Sequence, residues 1–310
     1  MVALVIGKSS YEITSFLNDS IIENTVYNNC NKEEGSGGSA LVMASLLGKW
    51  GVDTHISTAV ASDANGEKIK KELDMYRINK DMVETNFDKE TFLSYILINK
   101  KNGSKTLFNL TNPEDFSKCK KTDFNMNPDI ILMDGFEHKT STAALNKFPN
   151  TPSIILADEY TPEVLELAKY SKYIVFSKTF LEKFTNMVIN KDDSNSLLNL
   201  FNVVKSRYPR NEIILFLEDF GVIYSIDNQI KVIPVIKVEK KDTQGSIEIF
   251  TSTFAYSLVN NYDLEKAITY SIISSCMSNI VYGSIASIPN FNNVASYYNQ
   301  KFGIKTNDNL

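Results

Sequence analysis

Short apolar runs alternate with helical patterns along most of this chain, and this alternation constrains the fold more than any other feature of the sequence. The runs VALVI at 2–6, DIILM at 129–133 and YIVF at 173–176 are typical of strands buried on both faces of a sheet. Between such runs, segments such as 40–50 and 63–76 place apolar residues at helical spacing. Strands that alternate with helices indicate βαβ units, so the sequence predicts an α/β fold with a mostly parallel sheet.

The composition is that of a globular protein without specialisation for nucleic acids or membranes. Hydrophobic residues make up 43% and charged residues 22% of the 310 residues, which is enough apolar material for a sizeable core. The net charge of −5 argues against broad binding to nucleic acids or acidic membranes. No apolar run approaches the roughly 20 residues that span a bilayer, and the N-terminus has no signal-peptide pattern. We therefore expect a cytoplasmic protein with neither kind of partner.

Cysteine and histidine usage argues against a metal site built directly from side chains. The 3 cysteines stand far apart without a CxxC pair, which fits a reducing cytoplasm rather than a disulfide framework or a zinc site. With only 2 histidines, a histidine-based metal site or catalytic triad is not expected. We predict no direct protein ligand for a metal ion.

Two segments interrupt the alternation of strands and helices. Residues 12–36 are polar and rich in asparagine, and residues 91–112 have the pattern of a β-hairpin with a turn at 101–103. Neither segment fits a βαβ unit, so we expect them to form a small extra sheet, a lid, beside the main sheet. No repeat or linker divides the chain, and we predict a single domain over residues 1–310.

The segment KDTQGSIEIFTSTF at 241–254 places a turn of small residues directly before a helical pattern. Backbone N–H groups of residues 245–248, at a helix N-terminus, can face an anion, and small residues let a phosphate approach the backbone. Glu248 lies in the first turn of this helical pattern. Its carboxylate could be a catalytic base or could only complement the helix dipole, and both roles remain open.

Four motifs, in order along the chain, resemble those of the ribokinase-like (PfkB) family of sugar and nucleoside kinases. They are GSGGSALVMASLLGKWG at 35–51, VASDANGEKIKKEL at 60–73, DTQGSIEIFTSTF at 242–254 and GSIASIPN at 283–290. The resemblance implies a three-layer αβα domain with a β-sheet lid, and transfer of the γ-phosphoryl group of ATP to a hydroxyl of a sugar or nucleoside. It implies ATP and Mg²⁺ as cofactors and a homodimer formed through the lids. No G-x-G-x-x-G follows the first strand, which counts against a dinucleotide-binding enzyme.

The resemblance also implies the site residues, with Glu248 as the catalytic base. The anion hole would be formed by Gly245, Ser246 and Ile247. The substrate would be bound by Glu12, Gly37, Gly38 and Lys105. The nucleotide and its phosphates would be bound by Asp158, Ser177, Gly221, Asp242 and Thr243. Of these, Asp158 could support magnesium through water.

The sequence departs from the family pattern at several of these positions. Glu248 stands where the family has its catalytic aspartate, and Ile247 where it has a glycine. Val42 replaces an asparagine, Phe180 replaces the glutamate of an N-x-x-E motif linked to magnesium, and Glu218 replaces the glycine of a T-x-G motif. A misplacement of about 1 Å can cost about 100-fold in rate, so a longer carboxylate matters. The alternative function is a degenerate member that binds a ligand or partner without phosphoryl transfer. The substrate itself stays open.

Overall fold

Strands and helices alternate in the computed structural model, which describes residues 1–28, 30–112, 115–190, 193–226 and 229–302. The strands are β1 (Val2–Ile6), β2 (Ser10–Leu17), β3 (Lys32–Gly37), β4 (Asp53–Ala61), β5 (Val83–Asn86), β6 (Leu93–Asn99), β7 (Lys105–Asn109), β8 (Ile130–Met133), β9 (Ser153–Ala157), β10 (Tyr173–Ser177), β11 (Glu212–Phe216), β12 (Gly221–Ile226) and β13 (Gln229–Pro234). The helices are α1 (Ser39–Lys49), α2 (Ala64–Met75), α3 (His138–Lys147), α4 (Pro162–Tyr170), α5 (Lys178–Thr185), α6 (Ser194–Arg207), α7 (Ser246–Val259), α8 (Leu264–Ser278) and α9 (Phe291–Phe302). Within these described ranges no helix is both long and apolar enough to cross a membrane.

A nine-stranded sheet has the order β13-β12-β11-β10-β9-β8-β1-β4-β5. The strands from β11 to β5 pair in parallel. At the other edge, β12 and β13 add an antiparallel extension that the sequence did not indicate. The predicted α/β fold with a mostly parallel sheet is confirmed.

The side chains of the central strands alternate between two cores. In β1, Ala3 and Val5 belong to a core shared with α1, α2, α7 and α8, while Leu4 and Ile6 belong to a core shared with α3, α4, α5 and α6. None of these four β1 residues has exposed surface. Burial on both faces explains why the strand is apolar throughout rather than alternating. The helices therefore cover the sheet on both sides in three layers.

A second, four-stranded sheet, which we call the small sheet, has the order β3-β2-β6-β7. Strands β2 and β6 pair in parallel, and the two outer pairs are antiparallel. Because side chains alternate along a strand, Phe16, Ile96 and Ile98 share one face of this sheet. They pack there with Tyr282, from the chain that follows α8. The small sheet is thus anchored to the main body by an apolar contact of its own.

Candidate active site

The turn before α7, residues 242–245, is held by a buried carboxylate. Asp242 accepts the N–H groups of Gln244 and Gly283, each at 2.8 Å. Burial raises the pKa of Asp242, and the two N–H donors oppose that rise. The turn ends at Gly245, which has a φ of 76° and immediately precedes the helix. The turn is therefore fixed to the loop after α8 before any ligand binds.

The first turn of α7 offers unused N–H donors. Ile249 donates its N–H to the carbonyl of Gly245 at 2.8 Å, which closes the first helical hydrogen bond. Among the described residues, no oxygen accepts the N–H groups of Ile247 and Glu248. Free N–H groups at a helix N-terminus form a ready anion site. Of the predicted anion-hole residues, Ile247 has a free N–H, whereas the Ser246 N–H donates to the carbonyl of Thr243 at 3.3 Å.

Only one of the two carboxylate oxygens of Glu248 has a hydrogen-bond partner among the described residues. The residue is 7% exposed, and its Oε1 accepts the hydroxyl of Ser39, the first residue of α1, at 3.2 Å. Its Oε2 is buried and has no partner among the described residues. A buried oxygen without a donor is costly, so this atom is suited to a hydroxyl brought by a ligand.

Glu12 carries a second buried carboxylate on β2, but its oxygens are largely engaged. Oε1 accepts the Ser10 hydroxyl and the Gly38 N–H, both at 3.1 Å, and Oε2 accepts the amide Nε2 of Gln244 at 2.8 Å. Burial raises the pKa of Glu12, and the Ser10 and Gly38 donors together with the charges of Lys105 and Lys8 oppose that rise. A Cβ at Gly37 would lie 2.1 Å from the Glu12 carboxyl carbon, so any other residue there would displace the Glu12 carboxylate.

A cavity of about 550 Å³ opens beside the 242–245 turn. Its apolar lining includes Phe216, Val235, Ile236, Val238 and Ile272. It brings together six residues predicted from the sequence: Lys105, Asp158, Ser177, Thr243, Ser246 and Ile247. The other predicted residues do not line it; among them Gly221 starts β12, where it pairs with Pro234. The cavity therefore combines apolar side chains with many polar and charged groups, and a concave site of this size suits a small, charged molecule.

Lys105 electrostatically links this cavity to Glu248. It lies on the exposed strand β7 and lines the cavity. Loss of water around the ammonium opposes its charge, but the carboxylates of Glu248 and Asp158 outweigh this and raise the pKa of Lys105. The lysine therefore stays cationic in the cavity lining.

A family model described as pfkB family carbohydrate kinase matches residues 3–290. The chain belongs to this pfkB family. The match covers the small sheet, the 242–245 turn and all the helices down to α8, so the motif resemblance is confirmed over nearly the whole chain.

Known pfkB-type proteins share the fold at low sequence identity. A ribokinase of Lactococcus lactis is 26% identical over 169 residues, 53% of this chain and 52% of that protein, so the match spans about half of the relative. The structure of Arabidopsis thaliana ribokinase complexed with ribose and ATP has a TM-score of 0.77 at 17% identity, covering 95% of this chain and 97% of that one. The nucleoside kinase of Methanocaldococcus jannaschii has a TM-score of 0.77 at 17% identity, covering 96% and 98%.

The structure explains one departure from the pfkB motifs. Phe180 has no exposed surface, and its ring lies 5.4 Å from the rings of both Phe176 and Tyr160. Ser177 caps the start of α5, because its hydroxyl accepts the Phe180 N–H at 3.1 Å. The position that carries a magnesium-linked glutamate in the family pattern is here part of an aromatic core.

Several residues near the site gave no usable signal in the sequence. Ser39 and Gln244 act by contacting Glu248 and Glu12, and neither residue type marks a site by itself. Lys8, after β1, forms an ion pair with Glu159 at 3.0 Å and is 12% exposed. Only the position of Lys8, just beyond the carboxyl end of a parallel strand, could have pointed to it.

Proposed function

We propose that this protein transfers the γ-phosphoryl group of ATP to a hydroxyl of a sugar or nucleoside. The observation that carries the proposal is the buried Oε2 of Glu248. Among the described residues it has no partner, and the same helical turn leaves the N–H groups of Ile247 and Glu248 free. The two structural relatives described above, one bound to ribose and ATP and the other a nucleoside kinase, support this reaction class.

In the proposed reaction, Glu248 Oε2 accepts the proton of the acceptor hydroxyl. The hydroxyl oxygen forms a bond to the γ-phosphorus, and the bond from that phosphorus to the bridging oxygen of ADP breaks. ADP leaves with the electron pair of that bond, and the proton remains on Glu248. General base catalysis of this kind contributes about 10² to 10⁴-fold.

Charge on the transferring group would be stabilised by donors that need little rearrangement. The N–H groups of Ile247 and Glu248 supply an anion site, with Gly245 and Ser246 completing the turn, and Lys105 supplies a full positive charge. In phosphoryl transfer, positioning and charge stabilisation carry most of the catalysis. Asp242 and Thr243 would hold this turn against the nucleotide phosphates.

Nucleotide and magnesium would occupy the cavity beside the 242–245 turn. Asn279 lines it with a buried Oδ1 that has no partner among the described residues, which suits an amino group of the base. Asp158 is half buried in the lining, with Ser177 nearby in the same wall. One carboxylate together with substrate phosphates is a usual way of holding Mg²⁺, and the bound ion would neutralise phosphate charge. No described cluster of three or more His, Cys, Asp or Glu could hold a metal alone.

The acceptor would bind between the small sheet and the N-terminus of α1, with the small sheet serving as its lid. Gly37 and Gly38 allow close backbone approach, and Glu12 retains room at Oε2 for one more donor. Gly221 would support the nucleotide side only indirectly, through the β12–β13 hairpin.

A second candidate function is ligand binding without transfer. Phe180 favours it, because the buried aromatic ring cannot hold magnesium even through water. This candidate predicts that MgATP binding and phosphoryl transfer can be separated in the protein as it exists.

The test compares Glu248→Gln and Glu248→Asp with the unmodified protein on a panel of sugars and nucleosides. We expect the unmodified protein to turn over at least one acceptor and Glu248→Gln to lower kcat by at least about 100-fold. Its melting temperature and MgATP affinity should change little. Glu248→Asp, which restores the family residue, should retain measurable activity. A panel without turnover, together with MgATP binding, would establish the second candidate instead.

We further propose a cytoplasmic homodimer that forms through the small sheet. On the face opposite Phe16, the rings of Tyr95 and Phe108 lie 6.4 Å apart, and Ile13 stands opposite Tyr95. Phe108 is 44% exposed, and Leu110 just beyond β7 is 52% exposed. An exposed apolar patch on a protein surface commonly marks a protein–protein interface. All 3 cysteines are free thiols, as is usual in a reducing compartment.

A further inference from the structure

The tip of the β6–β7 hairpin, residues 100–104, is hydrogen-bonded to the 242–245 turn. The carbonyl of Gly103 accepts both the backbone N–H of Thr243 at 3.1 Å and its hydroxyl at 3.0 Å. These contacts join the free end of the small sheet to the turn that shapes the candidate anion hole. Thr243 also lines the nucleotide cavity, so one residue belongs to both.

Gly103 at the tip packs closely against residues 240–242. Gly103 is buried although its neighbours Asn102 and Ser104 are exposed. A Cβ at Gly103 would lie 3.1 Å from the Lys240 Cβ and 3.2 Å from the Asp242 nitrogen, and its φ of 71° is one that other residues rarely adopt. A side chain at this point would strain the backbone and crowd residues 240–242 by a few tenths of an ångström.

Gly103, the buried residue of the tip, lies two positions before Lys105, the first residue of β7. Lys105 pairs with Ile98 across the hairpin, and Ile98 is anchored against Tyr282. The position of the lysine along the cavity is therefore set from two sides, by the apolar anchor and by the tip. The tip is the part that is hydrogen-bonded to Thr243 of the 242–245 turn.

We propose that Gly103 and Thr243 are positioning residues, whose contact seats the small sheet on the 242–245 turn and holds Lys105 where its charge meets the transferring phosphoryl group. This inference rests on the proposed function for the role of Lys105. It adds that the seated state is stabilised by nucleotide. Phosphate groups in the cavity attract Lys105, so bound nucleotide favours the contact between the tip and the turn. Because coupling between two equilibria is reciprocal, the contact strengthens nucleotide binding by the same factor by which nucleotide favours the contact.

The first arm of the experiment measures the contact between the tip and the 242–245 turn, and it does not depend on enzymatic activity. Amide hydrogen exchange of residues 93–109 is followed in the unmodified protein, Gly103→Ala and Thr243→Val, with and without MgATP. Thr243→Val removes the hydroxyl donor, and Gly103→Ala strains the tip that carries the accepting carbonyl. Each change should make local opening, and therefore exchange in this segment, roughly tenfold faster. MgATP should slow exchange in the unmodified protein and less so in the variants. Thr243→Ser keeps the hydroxyl donor and should behave like the unmodified protein.

Gly51→Ala is the matched control for the cost of placing alanine at a positive φ. Gly51 has a φ of 83°, but a Cβ there would meet nothing within 4 Å. It should lower overall stability as Gly103→Ala does, without faster exchange in residues 93–109. Equal acceleration in both glycine variants would overturn the seating contact.

The second arm tests whether the contact acts through Lys105. MgATP affinity and, where turnover exists, kcat are measured for Gly103→Ala, Lys105→Met and the double variant. We expect each single variant to weaken MgATP binding by about tenfold, and the double variant to be no worse than Lys105→Met, because the contact works by placing that lysine. If the losses of the two single variants multiplied in the double variant, the contact would act independently of Lys105. That result would overturn the positioning role without contradicting phosphoryl transfer. Coupled effects on affinity without any turnover would refute the kinase function and retain the positioning role.

Discussion

At the scale of single residues, the longer carboxylate at position 248 is accommodated by a residue from another helix. Ser39 donates to Glu248 Oε1 and so fixes the carboxylate while leaving Oε2 for a ligand. A hydrogen bond to one oxygen restricts the extra rotatable bond that glutamate has over aspartate. The exchange of aspartate for glutamate is therefore compatible with a base that is held in one place.

Glu218 has a strained backbone conformation, and its negative charge lies in the wall of the cavity proposed to bind the nucleotide. Its φ is 41°, in the region that favours glycine, and it lines the cavity. We expect Glu218→Gly to raise the free energy of unfolding by about 1 kcal/mol, since a left-handed backbone costs a non-glycine residue about 1–2 kcal/mol. Removing the carboxylate should also tighten MgATP binding several-fold, because it would repel phosphates. Thermal unfolding and calorimetric titration measure the two effects.

Glu218→Gln separates the two causes in that prediction. It removes the charge and keeps a side chain at the same backbone angle, so MgATP should bind more tightly while stability stays near that of the unmodified protein. If Glu218→Gly did not stabilise the fold, the positive φ would carry no strain. If neither variant tightened MgATP binding, the carboxylate would not act on the nucleotide.

At the scale of elements, α3 begins at a buried carboxylate that gives stability a pH dependence. Glu137, directly before α3, is 3% exposed, and its Oε2 accepts the Cys119 N–H at 3.0 Å. Its Oε1 has no partner in the described part of the chain. Burial raises the pKa of Glu137 to about 8, against the opposing charge of Lys118. The start of α3 thus holds an acid that prefers to be protonated in the folded state.

A raised acid pKa in the folded state means that folding takes up a proton. The stabilisation is complete below the ordinary pKa of 4.5 and is lost as pH rises towards about 8. Glu137→Gln removes the titration but keeps an oxygen for Cys119. We expect the variant to match the unmodified protein at pH 4 and to exceed its free energy of unfolding by about 4 kcal/mol at pH 8, because the stabilisation falls by about 1.4 kcal/mol per pH unit between the two pKa values. Denaturant unfolding at both pH values checks this, and a constant difference between the proteins would contradict it.

The elements that the sequence predicted best are those whose pattern comes from burial alone. The strands β1, β8 and β10 lie between two layers of helices, so their apolar runs are continuous and easily recognised. The β12–β13 hairpin was missed because it forms an edge, where β13 is largely exposed and its residues carry no clear pattern. Gly221, interpreted as part of a nucleotide motif, lies at the start of that hairpin.

At the scale of the whole molecule, the sequence predicted the turn of the site but not its supports. The 242–245 turn and Glu248 follow from small residues placed before a helix, a local pattern that can be recognised without the fold. Their supports come from far along the chain: Ser39 is 209 residues from Glu248, and Gln244 is 232 residues from Glu12. Serine and glutamine are common residue types, so only the folded arrangement reveals that they position carboxylates.

The exposed apolar face of the small sheet leads to a prediction for the assembly. Phe108→Asp places a charge on that face, on the edge strand β7, and we expect it to convert a homodimer into a monomer in multi-angle light scattering over a range of concentrations. A stable interface of this kind buries about 1,200–2,000 Å², and a charge within it would be desolvated at a cost that contact cannot repay. Phe87→Asp is the matched control, since Phe87 is 86% exposed and follows β5 of the nine-stranded sheet rather than belonging to the small sheet. It should leave the dimer intact. An unmodified protein that is monomeric throughout, or a Phe108→Asp variant that stays dimeric, would refute assembly through this face.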